Sequence, residues 1–215
     1  LGLSRNDLLS MEDWRTLGQM LGLSFKGADS ASPDEGILIS AVGGDGSKYL
    51  QMIDRSRYRQ CTLEQEFNDV EDYNLYFSKM KQIYETVVAY KSDNQKVDFA
   101  DMIELALDVD PPRLQLLFID EAQDLTPLQW EMVEHWTSNA ERVVYAGDDD
   151  QAIHRWTGVD VKRFMNVTTN VEILSQSYRL PKRVFDVSQQ IVQNIQTRFE
   201  KEFYPTEYQG VVEYH

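Results

Sequence analysis

Two acidic stretches, each directly after an apolar run, are the residues of this sequence best suited to chemistry. Residues 116–119 (L-L-F-I) run into Asp120 and Glu121, and residues 143–146 run into the G-D-D-D-Q stretch at 147–151. An apolar run of this kind is typical of a strand buried in a parallel sheet, which places both sets of acids at the carboxyl ends of strands. One carboxylate there can bind magnesium through water and substrate phosphates, while its neighbour orients an attacking water.

Several polar side chains near these acids could assist such chemistry. Gln123 and Asp124 lie within reach of the first acidic pair, and Gln151 could hydrogen-bond a terminal phosphate without adding a charge. Trp156 follows in a polar loop with His154 and Arg155. A tryptophan in that setting either packs against a helix or stacks on a base, and stacking contributes roughly 1 to 3 kcal/mol per base.

Adjacent side chains on a strand point to opposite faces, so Asp120 and Glu121 can act together only where the strand bends into its loop. A bend of the chain into the loop is therefore a condition for this chemistry.

The elements that position these residues follow from periodicity. We predict helices over about 11–22, over about 18 residues from Tyr73, from Val97 to before Pro111, over about 127–137, near 161–165, and from Pro181 to about Glu202. We predict strands over 114–119, 142–146, 171–174 and 210–214. Alternating strands and helices after residue 96 indicate an α/β fold, a parallel sheet flanked by helices.

Two other stretches admit more than one interpretation. Residues 43–48 (G-G-D-G-S-K) differ from the phosphate-binding loop G-x-x-x-x-G-K-[ST], because Lys48 does not directly follow a glycine and is not directly followed by Ser or Thr. We therefore predict a flexible turn. The second stretch combines basic and aromatic side chains, and it is either a nucleic-acid-tracking surface or a solvated helix face. Its members are Lys48, Tyr49, Arg55, Arg57, Tyr58 and Arg59.

Composition limits the class of protein. With 215 residues, 42% of them hydrophobic, the chain can bury one substantial core or two small ones. No apolar run approaches the roughly 20 residues that cross a bilayer, so we expect no membrane contact and a cytoplasmic location. A single cysteine excludes an internal disulfide. The net charge of −15 argues against a general affinity for nucleic acid, so any contact with DNA would be local.

Three motifs in fixed order then resemble one family. F-I-D-E-A-Q-D, A-G-D-D-D-Q-A-I-H-R-W-T-G-V-D and L-S-Q-S-Y-R are similar to successive motifs of the UvrD/PcrA/Rep-type superfamily 1 DNA helicases, and V-D-F-A-D-M at 97–102 resembles the D-F-x-D-[LM] element that precedes them. The resemblance implies two RecA-like domains with ATP and Mg²⁺ in the cleft between them. It also implies ATP-driven translocation on single-stranded DNA and unwinding at duplex junctions.

The resemblance assigns roles to individual residues. Asp120 would bind Mg²⁺, Glu121 would be the base that positions the hydrolytic water, and Gln151 would contact the γ-phosphate. Arg179 would act as an arginine finger, generally worth roughly 10³ to 10⁵ in rate. The remaining assignments are nucleotide-site contacts for Gln123, Asp124 and Tyr178, and DNA contacts for Trp156, Arg155 and His154, the last standing where the family more often has Tyr.

The sequence departs from the family in two places. It contains no Walker A loop, and Thr157 stands where the family has an arginine. We therefore expect an internal piece of a longer helicase that turns over little ATP by itself and works with the remainder of the helicase chain. The expected division is a helical insertion subdomain at 1–95, the rest of the first RecA-like domain at 96–168, and the start of the second at 169–215.

Two alternatives remain open at this point. The first is a metal-dependent nuclease or phosphohydrolase, which would require six carboxylates to converge around two ions. These are Asp120, Glu121, Asp124, Asp148, Asp149 and Asp150. The second is a non-catalytic, DNA-binding protein that keeps only a helicase-like shell.

Overall fold

A computed structural model describes residues 2–23, 45–70, 74–153 and 157–213. The chain divides into two compact units. The first, here called the helical unit, comprises Leu1–Leu117 and Thr126–Val143. The second, here called the acidic-loop unit, comprises Phe118–Leu125 and Val144–His215.

The helical unit contains six α-helices in its described part. They are α1 (Met11–Leu21), α2 (Asp45–Tyr58), α3 (Leu63–Asn68), α4 (Phe77–Asn94), α5 (Phe99–Leu107) and α6 (Pro127–Thr137). Local sequence sets the start of four of them, because a Ser, Thr or Asp at the N-cap bonds reciprocally with an Asp or Gln three residues later. These N-caps are Ser10, Thr62, Asp98 and Thr126. The predictions of α1, α4, α5 and α6 are confirmed.

The core of the helical unit lies between α1, α2 and α4. Leu17 of α1 and Met80 and Ile83 of α4 have no exposed surface, and Leu50 and Ile53 of α2 are almost fully buried. Met80, Ile83 and Val87 of the predicted repeat are therefore core packing, as their helical spacing predicts, whereas Tyr76 and Val88 of the same repeat are exposed.

The predicted flexible turn at 43–48 is wrong for its described residues. Asp45 begins α2, a helix of 14 residues. The tertiary core explains the error, because Tyr49 and Leu50 of the first helical turns are buried at 3% and 2% exposure. Burial of these side chains outweighs the local preference of a glycine-rich start.

Three arginines at the end of α2 and directly after it form ion pairs within the helical unit. Arg57 pairs with Asp98 at 2.8 Å, and Arg59 pairs with Glu66 at 2.7 Å. Arg55 also pairs with Glu66, whose side chain is fully buried. The structure therefore favours a structural role for these three arginines over a nucleic-acid-tracking surface.

Two short strands pair in parallel in the described part of the chain. These are β1 (Leu117–Ile119) and β2 (Val143–Tyr145). Leu117 N donates to Arg142 O at 2.9 Å, and Ala146 N donates to Ile119 O at 2.8 Å. The structure thus shows a helix-rich α/β fold with a small parallel sheet, and the larger RecA-like sheet remains a prediction.

The acidic-loop unit has two further helices, α7 (Val161–Met165) and α8 (Lys182–Val192). The predicted strands at 171–174 and 210–213 are absent from the described residues, where the backbone is irregular. A strand needs a hydrogen-bonded neighbour, and Leu174 is instead 82% exposed. α8 also ends ten residues before Glu202, because the chain beyond it runs as a segment whose basic side chains bind carboxylates of the same unit.

No helix in the described ranges is long and apolar enough to span a membrane.

Candidate active site

The chain bends sharply where β1 ends, which meets the condition for Asp120 and Glu121 to act together. Glu121 adopts the left-handed conformation, with φ 49° and ψ 38°. A non-glycine residue there costs about 1 to 3 kcal/mol and is concentrated at functional sites. The turn is held by Ala122 N, which donates to Ala146 O at 2.9 Å and joins the ends of the two strands. The bend allows Asp120 and Glu121 to serve one site.

The Asp120 and Glu121 carboxylates are exposed and have only neutral partners among the described residues. Asp120 Oδ1 accepts a hydrogen bond from Glu121 N at 2.9 Å. Glu121 Oε2 accepts one from Gln123 Nε2 at 2.8 Å. Both carboxylates therefore keep open oxygen positions that a metal ion or a water molecule can use.

Gln123 connects the two acidic stretches. Its side chain is buried, with 2% of the residue exposed. Its Nε2 donates to Glu121 and, at 3.0 Å, to Asp124, while its Oε1 accepts from Asp148 N at 3.0 Å. Both hydrogens of the Gln123 side-chain amide are thus bonded within the protein, so the side chain fixes the loop geometry. The predicted nucleotide contact of Gln123 remains a prediction.

Gly147 permits this close approach. A Cβ at this position would lie 2.4 Å from Gln123 Oε1 and 3.0 Å from Phe164 Cζ. No real Cβ is tolerated at the first distance, so glycine is required for the buried amide to reach the backbone of the second acidic stretch. The sequence pattern A-G-D therefore has a steric basis here.

Gln151 belongs to the same hydrogen-bonded network as Glu121. Its Nε2 donates to Asp148 Oδ2 at 2.6 Å, and Asp148 in turn is bound through its backbone to Gln123. Burial raises the pKa of the Asp148 carboxyl, but hydrogen bonds from Lys201 and Gln151 outweigh it and hold the pKa below its usual value. The structure thus links the candidate base and the candidate phosphate sensor through the Gln123 side chain and the backbone and side chain of Asp148.

Lys201 and Arg198, which sequence reasoning missed, bind the acidic residues at 148–150. Lys201 Nζ donates to Asp148 at 2.7 Å and to Asp149 at 2.6 Å, and Arg198 Nη2 donates to Asp150 at 2.9 Å. Burial lowers the pKa of Lys201, but these two aspartates outweigh it and raise the pKa above its usual value. The contacts join residues about 50 positions apart, so no local sequence pattern predicts them.

Asp124 is the third acid of the first stretch. Its Oδ2 accepts from Gln123, while its Oδ1 is buried without a hydrogen-bond partner in the structure. An unpartnered buried oxygen in the turn that follows the exposed Asp120 fits a magnesium site of the kind that uses one or two carboxylates with water and phosphate oxygens.

The convergence required by a two-ion nuclease is not seen. In the described part of the chain, no three acidic, histidine or cysteine side chains are grouped as a metal site. Asp148, Asp149 and Asp150 are instead held by Lys201 and Arg198.

The remaining predicted site residues lie apart from this network or outside the described ranges. Tyr178 is 90% exposed, and the Arg179 side chain is exposed, with its backbone N donating to Ser177 Oγ at 3.3 Å. Neither side chain contacts the network within the described residues. His154, Arg155 and Trp156 lie outside the described residues, while the neighbouring Thr157 is buried.

Comparison with known proteins agrees with these motifs. The profile of the UvrD/REP helicase N-terminal domain matches residues 6–172. The chain belongs to the UvrD/REP helicase family. Within the family, it is 24% identical over 171 residues to the ATP-dependent DNA helicase PcrA of Bacillus subtilis. The matched region covers 73% of this chain and 23% of that protein.

Two further UvrD/REP relatives show the same pattern. The ATP-dependent DNA helicase Rep of Buchnera aphidicola is 24% identical over 151 residues, covering 63% of this chain and 22% of that protein. The probable DNA helicase II homolog of Mycoplasma capricolum is 28% identical over 99 residues, covering 44% and 14%. The chain therefore spans less than a quarter of the length of these relatives.

Proposed function

We propose that this UvrD/REP chain contributes the hydrolytic part of an ATP site to an ATP-dependent DNA helicase, which couples ATP hydrolysis to translocation on single-stranded DNA and to unwinding at duplex junctions. The observation that carries the proposal is the continuous network from Glu121 through Gln123 and Asp148 to Gln151. A base and a phosphate sensor held in one network can respond together to the terminal phosphate.

Glu121 is the proposed general base. Its exposed carboxylate accepts from Gln123 at one oxygen, which leaves the other oxygen to accept a proton from the attacking water. The left-handed backbone at Glu121 turns the carboxylate away from the strand direction, and the buried Gln123 fixes its orientation. Gln151, exposed beside Asp148, would donate its amide to the γ-phosphate.

Asp120 is the proposed magnesium ligand, and the unpartnered Oδ1 of Asp124, in the turn that follows, is a further candidate oxygen. Bound Mg²⁺ would neutralise charge on the β- and γ-phosphates. The protein's own contribution is to hold the Asp120 carboxylate at the carboxyl end of β1, where the Glu121 backbone N–H fixes one oxygen.

The other assignments rest on the family resemblance. Arg179 would stabilise the charge of the transition state, with Tyr178 beside it, and both side chains are exposed as a role toward a ligand requires. Trp156 would stack on a DNA base, with His154 and Arg155 beside it. The proposed domain division remains 1–95, 96–168 and 169–215.

The sequence contains no G-x-x-x-x-G-K-[ST] loop to grip the β- and γ-phosphates. We therefore expect these 215 residues alone to bind nucleotide weakly and to turn over little ATP.

A coupled ATPase assay with and without single-stranded DNA tests the proposal on the full-length gene product. Glu121→Gln should lower DNA-stimulated turnover by about 10² to 10⁴, the range typical of general bases. Glu172→Gln, an exposed glutamate of the same unit, serves as the matched control and should leave turnover unchanged. Undiminished turnover in Glu121→Gln, or manganese-dependent DNA cleavage without ATP, would contradict the proposal.

A further inference from the structure

Lys201 makes contacts that an ordinary surface lysine does not make. Its ammonium lies 2.7 Å from Asp148 Oδ1, 2.6 Å from Asp149 Oδ1 and 3.1 Å from Asp150 Oδ2, with 14% of its side chain exposed. The Asp149 side chain is 3% exposed. Three consecutive aspartates would repel one another in a partly buried loop, so a cation at their centre stabilises the arrangement.

The lysine is itself held in place by its own segment. Phe199 N donates to Asp149 Oδ2 at 2.6 Å, and Arg198 Nη2 donates to Asp150 Oδ2 at 2.9 Å. Residues 198–201 are thus fixed to the acidic loop by one backbone and two side-chain groups. A lysine anchored in this way loses little further freedom when it binds a carboxylate.

The two oxygens of Asp148 have different partners. Oδ1 accepts from Lys201 Nζ and from Asp150 N at 3.2 Å, and Oδ2 accepts from Gln151 Nε2 at 2.6 Å. Because Lys201 and the backbone fix Oδ1, the carboxylate plane cannot rotate freely, and Oδ2 stays directed at the Gln151 amide. Without Lys201, only the longer backbone bond would hold Oδ1.

We propose that Lys201 is a positioning residue for ATP hydrolysis, which acts through Asp148 to orient the Gln151 amide toward the γ-phosphate. The inference rests on the proposed function, because it assumes that Gln151 contacts that phosphate. Lys201 does not touch the nucleotide. It fixes the Asp148 carboxylate, which in turn fixes the Gln151 amide. The loss of Lys201 therefore lowers the rate of the chemical step more than the affinity for ATP.

A double-mutant cycle on the full-length gene product tests this role. Lys201→Met should lower kcat for DNA-stimulated ATP hydrolysis about tenfold, with KM for ATP changed less than about twofold. Lys201→Arg keeps the positive charge and should recover most of kcat. Lys182→Met is the matched control, because Lys182 is exposed and its side chain pairs, among the described residues, only with Asp186, at 3.4 Å. Its kcat should equal that of the unmodified protein.

The decisive comparison is made in a Gln151→Ala background. If Lys201 acts through Gln151, adding Lys201→Met to Gln151→Ala causes no further loss of kcat. A merely structural lysine would instead reduce kcat by the same factor in both backgrounds, and that result would overturn the inference. Asp148→Asn probes the same link from the other side and should likewise have no further effect in this background.

The failures of the two proposals are distinguishable. If Gln151→Ala and Glu121→Gln both leave turnover unchanged, the proposed function fails, and the role of Lys201 fails with it. If both lower turnover while Lys201→Met acts additively, the proposed function stands and only the positioning role is overturned. Melting temperatures establish that each variant is folded. If Lys201→Met does not fold, Asp148→Asn in the two backgrounds decides whether the positioning role stands.

Discussion

Two pairs of acids in this molecule have the same side-chain chemistry but opposite surroundings. In the helical unit, Asp98 and Asp101 at the start of α5 are both bound by Lys91 and Arg57, at 2.6 to 2.9 Å. In the acidic-loop unit, the carboxylates of Asp120 and Glu121 are exposed and meet only a backbone N–H and the neutral amide of Gln123.

The presence or absence of cationic partners separates structural carboxylates from reactive ones in these two pairs. Burial raises the pKa of Asp98, but Arg57 and Lys91 outweigh burial and hold the pKa below its usual value, so its charge stabilises the fold. Asp120 and Glu121 have no such cations among the described residues and contribute little to stability, but their oxygens remain available. The acids at 148–150 are also bound by cations, Lys201 and Arg198, and the role that we propose for one of them, Asp148, is to position Gln151.

The largest expected effect on stability is that of Asp98→Asn. Asparagine keeps the N-cap of α5, so the substitution removes only the charge that faces Arg57 and Lys91. Breaking a largely buried ion pair by altering one partner should lower the free energy of unfolding by about 2 to 4 kcal/mol, measured by urea denaturation. The matched control is Asp120→Asn, at an exposed position, which should change it by less than about 0.5 kcal/mol. Equal losses in the two variants would remove the distinction between the pairs.

Gly147→Ala should have an intermediate effect on stability. The new methyl group would meet the buried Gln123 amide and Phe164, so we expect a loss of about 1 to 3 kcal/mol in the free energy of unfolding. In a Gln123→Ala background, where the closest obstacle is absent, the same change should cost less. If Gly147→Ala lowers the free energy of unfolding by the same amount in that background, contact with Gln123 is not the reason that glycine is required at 147.

The smallest expected effect concerns Asp54 of α2, whose pKa burial and the nearby charge of Asp98 raise to about 7. Its folded-state pKa lies above the unfolded value of roughly 4, so ionisation opposes folding and stability falls as pH rises from about 4 to about 7. Asp54→Asn should therefore raise the free energy of unfolding by about 1 to 2 kcal/mol at pH 8 and leave it nearly unchanged at pH 4. The groups that set this pKa besides Asp98 are Arg57, Lys91 and Asp101.

Denaturation curves at the two pH values measure this difference. Equal effects of Asp54→Asn at pH 4 and pH 8 would contradict the stated surroundings of Asp54.

Local sequence predicted the features that depend on local physics. Periodicity predicted α1 and α6, whose starts are set by the N-caps Ser10 and Thr126, and the apolar run before Asp120 predicted the strand β1. These features arise within a few residues of the chain, where periodicity and hydrogen bonding to near neighbours decide the outcome.

Features that depend on distant partners could not be predicted in this way. α2 forms because Tyr49 and Leu50 are buried against other helices, although a glycine-rich start suggests a turn. The run at 171–174 has strand-like composition but no paired neighbour among the described residues. The contacts of Lys201 with Asp148 and Asp149 likewise join residues about 50 positions apart, which periodicity does not register.

The main conclusion is that the unpaired acids at the end of β1 carry the chemistry and the paired acids at the start of α5 carry the fold. It is tested most directly by DNA-stimulated ATP turnover per folded molecule of the full-length gene product, measured for Asp120→Asn beside Asp98→Asn. The account predicts that Asp120→Asn loses turnover by about 10² or more, while Asp98→Asn, per folded molecule, stays close to the unmodified protein. Undiminished turnover in Asp120→Asn, with a loss confined to Asp98→Asn, would contradict it.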